Sequence, residues 1–126
     1  MRTPLPTRYA DYDTKGHVNN AVFLTYFEMA RHHAWVDVMG GSADFPFIIA
    51  EATVRYVSQA MIGEALDIEM RTTEVRTKAW VWSYVIRAPH GDRVVADGRT
   101  VQVMFDYAAG RTMPIPAEFR AKLERV

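Results

Sequence analysis

Between Tyr9 and Asn20 the chain reads Tyr-Ala-Asp-Tyr-Asp-Thr-Lys-Gly-His-Val-Asn-Asn. Two carboxylates (Asp11, Asp13), an imidazole (His17) and two amides (Asn19, Asn20) are crowded into this stretch, just before a segment with helical spacing. A helix start offers unpaired backbone N–H groups and the positive end of the helix dipole. An ionisable side chain beside it is an arrangement for polarising a carbonyl oxygen next to an acid, base or nucleophile. The same residue types are also ordinary loop formers: Asn19 can cap the helix, and Asp11 and Asp13 can be solvated. In an extended approach to the helix the two aspartates share a face. His17 can steer a carboxylate or a substrate, or simply hold its own turn.

The elements that must position these groups follow from periodicity. From Asn20 to Met39, Phe23, Phe27, Ala30, Ala34 and Val38 recur at spacings of three and four, widened by Val22, Tyr26, Met29 and Trp35. A helix apolar over so much of its girth is expected to be largely buried. Asn19 or Asn20 can cap its start, and Gly40-Gly41 can stop it. Beyond it the pattern changes to strands. Phe47 to Val57 is a mostly apolar run; Leu66, Ile68, Met70 and Thr72 alternate with charged residues; Trp80, Trp82, Tyr84 and Ile86 repeat the alternation; Val95 to Phe105 is a fourth run. Turn signals at Met61–Glu64, Arg76–Lys78 and Pro89–Asp92 separate them, and the last two gaps suit hairpins. A short strand is expected around Leu5 to Tyr9, and a helical turn or two at Pro116 to Leu123. The order β-α-β-β-β-β predicts an antiparallel meander curled around one long helix. Edges and part of a face left uncovered by that helix argue for pairing with a second copy.

The chain has 126 residues, 49% apolar and 24% charged, which fits one globular domain over residues 1–126. Lys plus Arg and Asp plus Glu are both 15, so the net charge is zero, and the basic excess needed for nucleic-acid binding is missing. There is no cysteine, which excludes disulfides, thiolate metal sites and thiol nucleophiles. No run approaches the length of a membrane span, and the N-terminus lacks a signal-like apolar stretch, so a cytoplasmic protein with no membrane partner is expected.

The run Asp13-Thr14-Lys15-Gly16-His17-Val18-Asn19-Asn20, followed by Tyr26-Phe27-Glu28-Met29-Ala30-Arg31, resembles the hotdog-fold acyl-CoA thioesterases of the 4-hydroxybenzoyl-CoA thioesterase type. Tyr56 with Gly63-Glu64, Gly98-Arg99-Thr100-Val101 and Pro114-Ile115-Pro116 extend the resemblance over nearly the whole chain. It implies an α+β fold with a long helix wrapped by a five-stranded antiparallel sheet. It also implies a homodimer or homotetramer with sites at the subunit interface, and hydrolysis of acyl-CoA without redox cofactor or metal. Asp13 matches the family's catalytic aspartate, as nucleophile or as general base. The backbone N–H near Asn20 matches the group that polarises the thioester oxygen. Two departures concern turn geometry: Val57-Ser58-Gln59-Ala60 stands where relatives often carry Pro, and Glu64 where they often carry Asp. An acyl carrier protein as thiol carrier is a close variant.

Other readings are a hotdog hydratase or dehydratase and a non-catalytic acyl-CoA binding module. The hydratase pattern places Asp and His five apart around Asn-Pro, whereas Asp13 and His17 are four apart without it. Among further residues, His17 and Asn19 are candidates for substrate contact. Glu51, set in an otherwise apolar strand opening, either faces water or lines a site reached by a partner's loop. Glu28 and Arg31, at i, i+3, are expected to pair. His32 and His33 are expected at the surface, Trp80, Trp82 and Tyr84 in the core, and Arg76 and Lys78 solvated or meeting phosphates.

Overall fold

Alternation dictates the sheet. In the computed structural model, which describes residues 1–42, 44–90 and 92–126, strands β3 (Leu66–Val75), β4 (Ala79–Ala88) and β5 (Arg93–Asp106) form an antiparallel meander. Its register aligns the apolar rows: Ile68 faces Ile86, Met70 faces Tyr84, Trp82 faces Thr100 and Tyr84 faces Gly98. All of these but Gly98 are buried. Charged residues occupy the other face, where Arg55 pairs with Asp97 and Arg99 with Glu51. Of the turn expected at Pro89–Asp92, Gly91 lies outside the described residues.

The meander stops there. Strand β2 (Phe47–Tyr56) does not pair with β3, its neighbour in sequence, but crosses to β5, and β1 (Arg2–Leu5) takes the other edge against β3. The sheet order is β1-β3-β4-β5-β2, with the two-residue β6 (Arg111–Thr112) added to the end of β5. β1 thus precedes the position the sequence suggested. Tyr9–Asp11 forms a 3₁₀ turn instead of strand, which bends the chain from the sheet edge towards the helix.

Helix α1 (Val22–His33) lies on the apolar face and continues through a π-helical turn, Ala34–Val38, to a stop at Gly40, whose φ of 72° suits glycine. It buries Phe23, Tyr26, Phe27 and Ala30 but exposes Leu24 and Glu28, so its buried stripe is narrower than its composition predicts. Phe27 stacks on Tyr84, ring centroids 4.2 Å apart and nearly parallel. Gly98 makes room for this pair: a β-carbon there would stand 2.2 Å from the Thr53 carbonyl oxygen and 2.8 Å from the Phe27 ring. Helix α2 (Ala117–Leu123) closes the far end with Phe119 against Trp35 and Trp80.

α1 covers β2 only in part: Phe23 meets the Tyr56 ring edge-on, centroids 5.4 Å apart. Ile49 and Tyr56 share the sheet face of the buried residues Gln102 and Ala96, yet are 41% and 47% exposed. No helix among the described residues is long and apolar enough to cross a membrane.

Candidate active site

The loop before α1 closes on itself. Tyr12 and Val18 form an antiparallel bridge, the Asp13 N–H donates to the His17 carbonyl (2.7 Å), and the Asn19 N–H donates to the Asp11 carbonyl (2.8 Å). Gly16 turns the chain at φ 75°. This ladder sets Asp11 opposite Asn19 and Asp13 opposite His17, which fixes the distance from each carboxylate to the helix start.

Asp13 is exposed. Its Oδ1 accepts the backbone N–H groups of Lys15 (2.8 Å) and His17 (3.1 Å), and these bonds hold its carboxyl below the usual aspartate range. Oδ2 takes no donor from the described residues. A carboxylate with one oxygen clamped and the other open is ionised at neutral pH and available as base or nucleophile. It lines a cavity of about 580 Å³ together with Tyr9, Tyr12, Thr14, Gly16 and Ile62.

At the helix start the neighbouring N–H groups are occupied. Asn19 donates to Asp11, Ala21 to the Asn19 side chain (3.0 Å), and Val22 to the Asn19 carbonyl (3.0 Å). The Asn20 N–H has no acceptor among the described residues. Asn19 therefore organises the first turn, and Asn20 presents the open donor. The Asn20 carbonyl accepts the Tyr56 hydroxyl at 2.9 Å, which ties β2 to this end of α1.

Asp11 is not solvated: it is 1% exposed. Its Oδ2 accepts the Arg8 N–H (2.9 Å) and the Tyr26 hydroxyl (3.0 Å), and its Oδ1 accepts the Arg8 guanidinium (2.9 and 3.1 Å). Burial pushes its pKa up, but the hydrogen bonds from Arg8 and Tyr26 outweigh this and leave it lowered. Burial and the bond to Asp11 raise the Tyr26 hydroxyl well above its ordinary value, so it stays a donor. Arg8, Tyr26 and Tyr56 do not stand out from sequence as site residues; only the Arg8-x-x-Asp11 spacing hints at this tie.

The remaining candidates separate. The contacts of His17 with Asp13 are through its backbone, in keeping with a turn-holding role. Glu51 pairs with Arg99 (3.0 Å) on the face away from α1, so within one chain it is not brought to the loop. Glu28 and Arg31 do not pair. Arg31 donates instead to the Tyr84 hydroxyl (3.4 Å), and Glu28 has no ion-pair partner among the described residues. His32 is exposed, while His33, half-buried, contacts Asp37 at 2.6 Å. Arg76 pairs with Glu74 at its turn.

An ionised carboxylate and an open helix-start N–H, on one hydrogen-bonded loop, can activate water or attack a carbonyl while stabilising the oxyanion. Residues 7–123 match the family model described as the thioesterase-like superfamily. The chain belongs to the thioesterase-like superfamily. It is 28% identical over 134 residues to the long-chain acyl-CoA thioesterase FadM of Escherichia coli (strain K12), covering 100% of this chain and 98% of that protein. Among solved structures it is similar to a thioesterase from Thermus thermophilus complexed with coenzyme A and Zn, with TM-score 0.85 and 28% identity, over 97% of this chain and 90% of that one. A predicted thioesterase from Bacillus stearothermophilus superposes with TM-score 0.89 at 27% identity, over 99% and 95% of the two chains. Among the described residues of this superfamily member, no three His, Asp or Glu side chains gather as a metal site.

Proposed function

We propose that this protein is an acyl-CoA thioesterase of the hotdog type, formed by residues 1–126 as one domain, with Asp13 as its catalytic carboxylate. Thioester hydrolysis as the reaction class follows from its superfamily and from its likeness to named thioesterases. The observation that carries the finer reading is the Asp13 carboxylate, ionised and with Oδ2 open, on the loop that also sets the unpaired Asn20 N–H. As general base, Asp13 takes a proton from water, and the resulting hydroxide attacks the thioester carbonyl carbon. The oxyanion is held by the Asn20 N–H. Collapse breaks the C–S bond and releases the acid, and the proton held by Asp13 passes to the departing thiolate to give the thiol. As nucleophile, Asp13 forms an acyl anhydride and expels the thiolate, and water then cleaves the anhydride. Asn19 supports the donor, and His17 holds the turn that carries Asp13.

The same reading takes the protein as a homo-oligomer. Ile49 and Tyr56 on the open part of β2, at the sheet edge, are the surface a second copy would cover, and the same copy could bring a loop to Glu51. Light scattering is expected to give at least twice the 14.4 kDa chain mass at micromolar concentration; a monomer would remove both expectations.

A panel of acyl-CoA thioesters, with free thiol followed over time, tests the function. Thiol release with saturation is expected. Binding without release would make the protein a binding module, and loss of enoyl absorbance would make it a hydratase.

A further inference from the structure

Tyr9 holds its ring out into solvent, 87% exposed, at the rim of the cavity that Asp13 lines. Aromatic rings seldom stand so open. The hydroxyl has no hydrogen-bond partner among the described residues, so the polar tip does not explain the placement. Nor is the segment loosely held. The Tyr9 carbonyl accepts the Tyr12 N–H (3.2 Å), and the turn is clamped from Arg8 through Asp11 to Tyr26 on α1. The ring therefore stands on a fixed base, and its face is free.

The cavity is also lined by Ile62, 54% exposed and fixed by its N–H donating to the Gly16 carbonyl (2.8 Å). Asp13 and Thr14 supply its polar lining. Lys15, next along the loop, is exposed and has no ion-pair partner among the described residues. An open ring, an aliphatic wall, polar groups and an unpaired cation match an elongated ligand that carries a flat base, amides and phosphates.

We infer that Tyr9 is the stacking platform for the adenine of coenzyme A, with the pantetheine arm lying in this cavity against Ile62. The inference rests on the acyl-CoA thioesterase reading and deepens it by naming the residue that holds the base of the thiol carrier. An acyl carrier protein offers the arm but no base to stack. Base–aromatic stacking is sequence-tolerant because every base has a π-face to offer the ring.

The test compares wild type, Tyr9→Ala and Tyr9→Phe on one acyl group attached to coenzyme A, to pantetheine and to acyl carrier protein. Tyr9→Ala is expected to raise KM for acyl-CoA about tenfold, with kcat kept and KM for acyl-pantetheine unchanged. Tyr9→Phe is expected to keep the wild-type KM. Because the ring is exposed, neither change threatens the fold. Equal rises for acyl-CoA and acyl-pantetheine, or no rise for either, would overturn the assignment. So would a strong wild-type preference for acyl carrier protein that Tyr9→Ala leaves intact. If wild type released thiol from none of the three, the thioesterase reading would fail separately. Titration calorimetry with coenzyme A would then decide the Tyr9 site, an unchanged Kd in Tyr9→Ala overturning it.

Discussion

Asp11 and Asp13 stand two residues apart on one loop and do opposite work. Asp11 is sealed against α1, with both oxygens bonded to Arg8 and Tyr26. Asp13 is at the rim, with one oxygen clamped by backbone and the other open. The difference shows how a loop can be both rigid and reactive. The buried carboxylate takes the tertiary bonds that hold the loop to the helix, which frees the exposed one from any structural duty beyond its own turn. A carboxylate asked to do both would have its oxygens occupied.

The largest expected effect sharpens this contrast at its reactive end. Asp13→Asn keeps size and turn bonds but removes charge and nucleophile, so kcat should fall by about 10²–10⁴ or more, with melting temperature unchanged. Near-normal turnover in the folded variant would move the chemistry elsewhere, with Glu51 the next residue to change. Somewhat smaller is the effect of Asn20→Pro, which deletes an N–H that bonds to nothing in the described structure. Removal of one oxyanion donor costs about 10²–10³ in kcat, again with stability kept, and unaltered turnover would refute the donor's role.

At the anchored end the balance should reverse. Asp11→Ala leaves the Tyr26 hydroxyl without its buried acceptor, so stability should fall by about 1–3 kcal/mol, read by denaturant unfolding, while the rate of the folded fraction drops far less than in Asp13→Asn. A pH series gives the smallest and most specific readout. The Asp11 pKa is lowered by folding, so its stabilisation is full above the unfolded-state pKa and is lost as pH falls through the lower native value. Tyr26→Phe removes one of the lowering bonds, and should move the midpoint of acid unfolding to higher pH. An unmoved midpoint would mean that Arg8 alone sets the Asp11 pKa.

Local signals carried much of this to the reader of the sequence. Strict alternation in Leu66-Ile68-Met70 and in Trp80-Trp82-Tyr84 announces strands because a slip by one residue would turn every apolar side chain outward. The hairpins between β3, β4 and β5 follow from short turns. The pairing of β2 with β5 does not, because nothing in Phe47–Tyr56 names its partner some forty residues on. At the site, Asp13 was legible through the Asp13–Asn20 run that carries the resemblance, whereas its side-chain bonds to the N–H groups of residues 15 and 17 emerge only in the folded loop. The burial of Asp11 was not: its decisive partner, Tyr26, lies on the next element, and an aspartate in a polar loop ordinarily reads as solvated. Glu28 and Arg31 failed for a related reason. Helical spacing allows a pair, but the Tyr84 hydroxyl beneath the helix takes the guanidinium instead.

The space at Gly98 constrains what this chain can become. In most strands, exchanging glycine for alanine stiffens the unfolded chain and is tolerated or welcome. Here the added methyl group would meet a main-chain oxygen of β2, at Thr53, which no trimming of a neighbouring side chain can remove. Shrinking Phe27 would relieve only the second clash. The mildest replacement would therefore pry the edge strand away from β5 and strain the Tyr56–Asn20 bond near the reactive loop. Mutational drift at position 98 is closed at its first step, although glycine has no side chain with which to do chemistry.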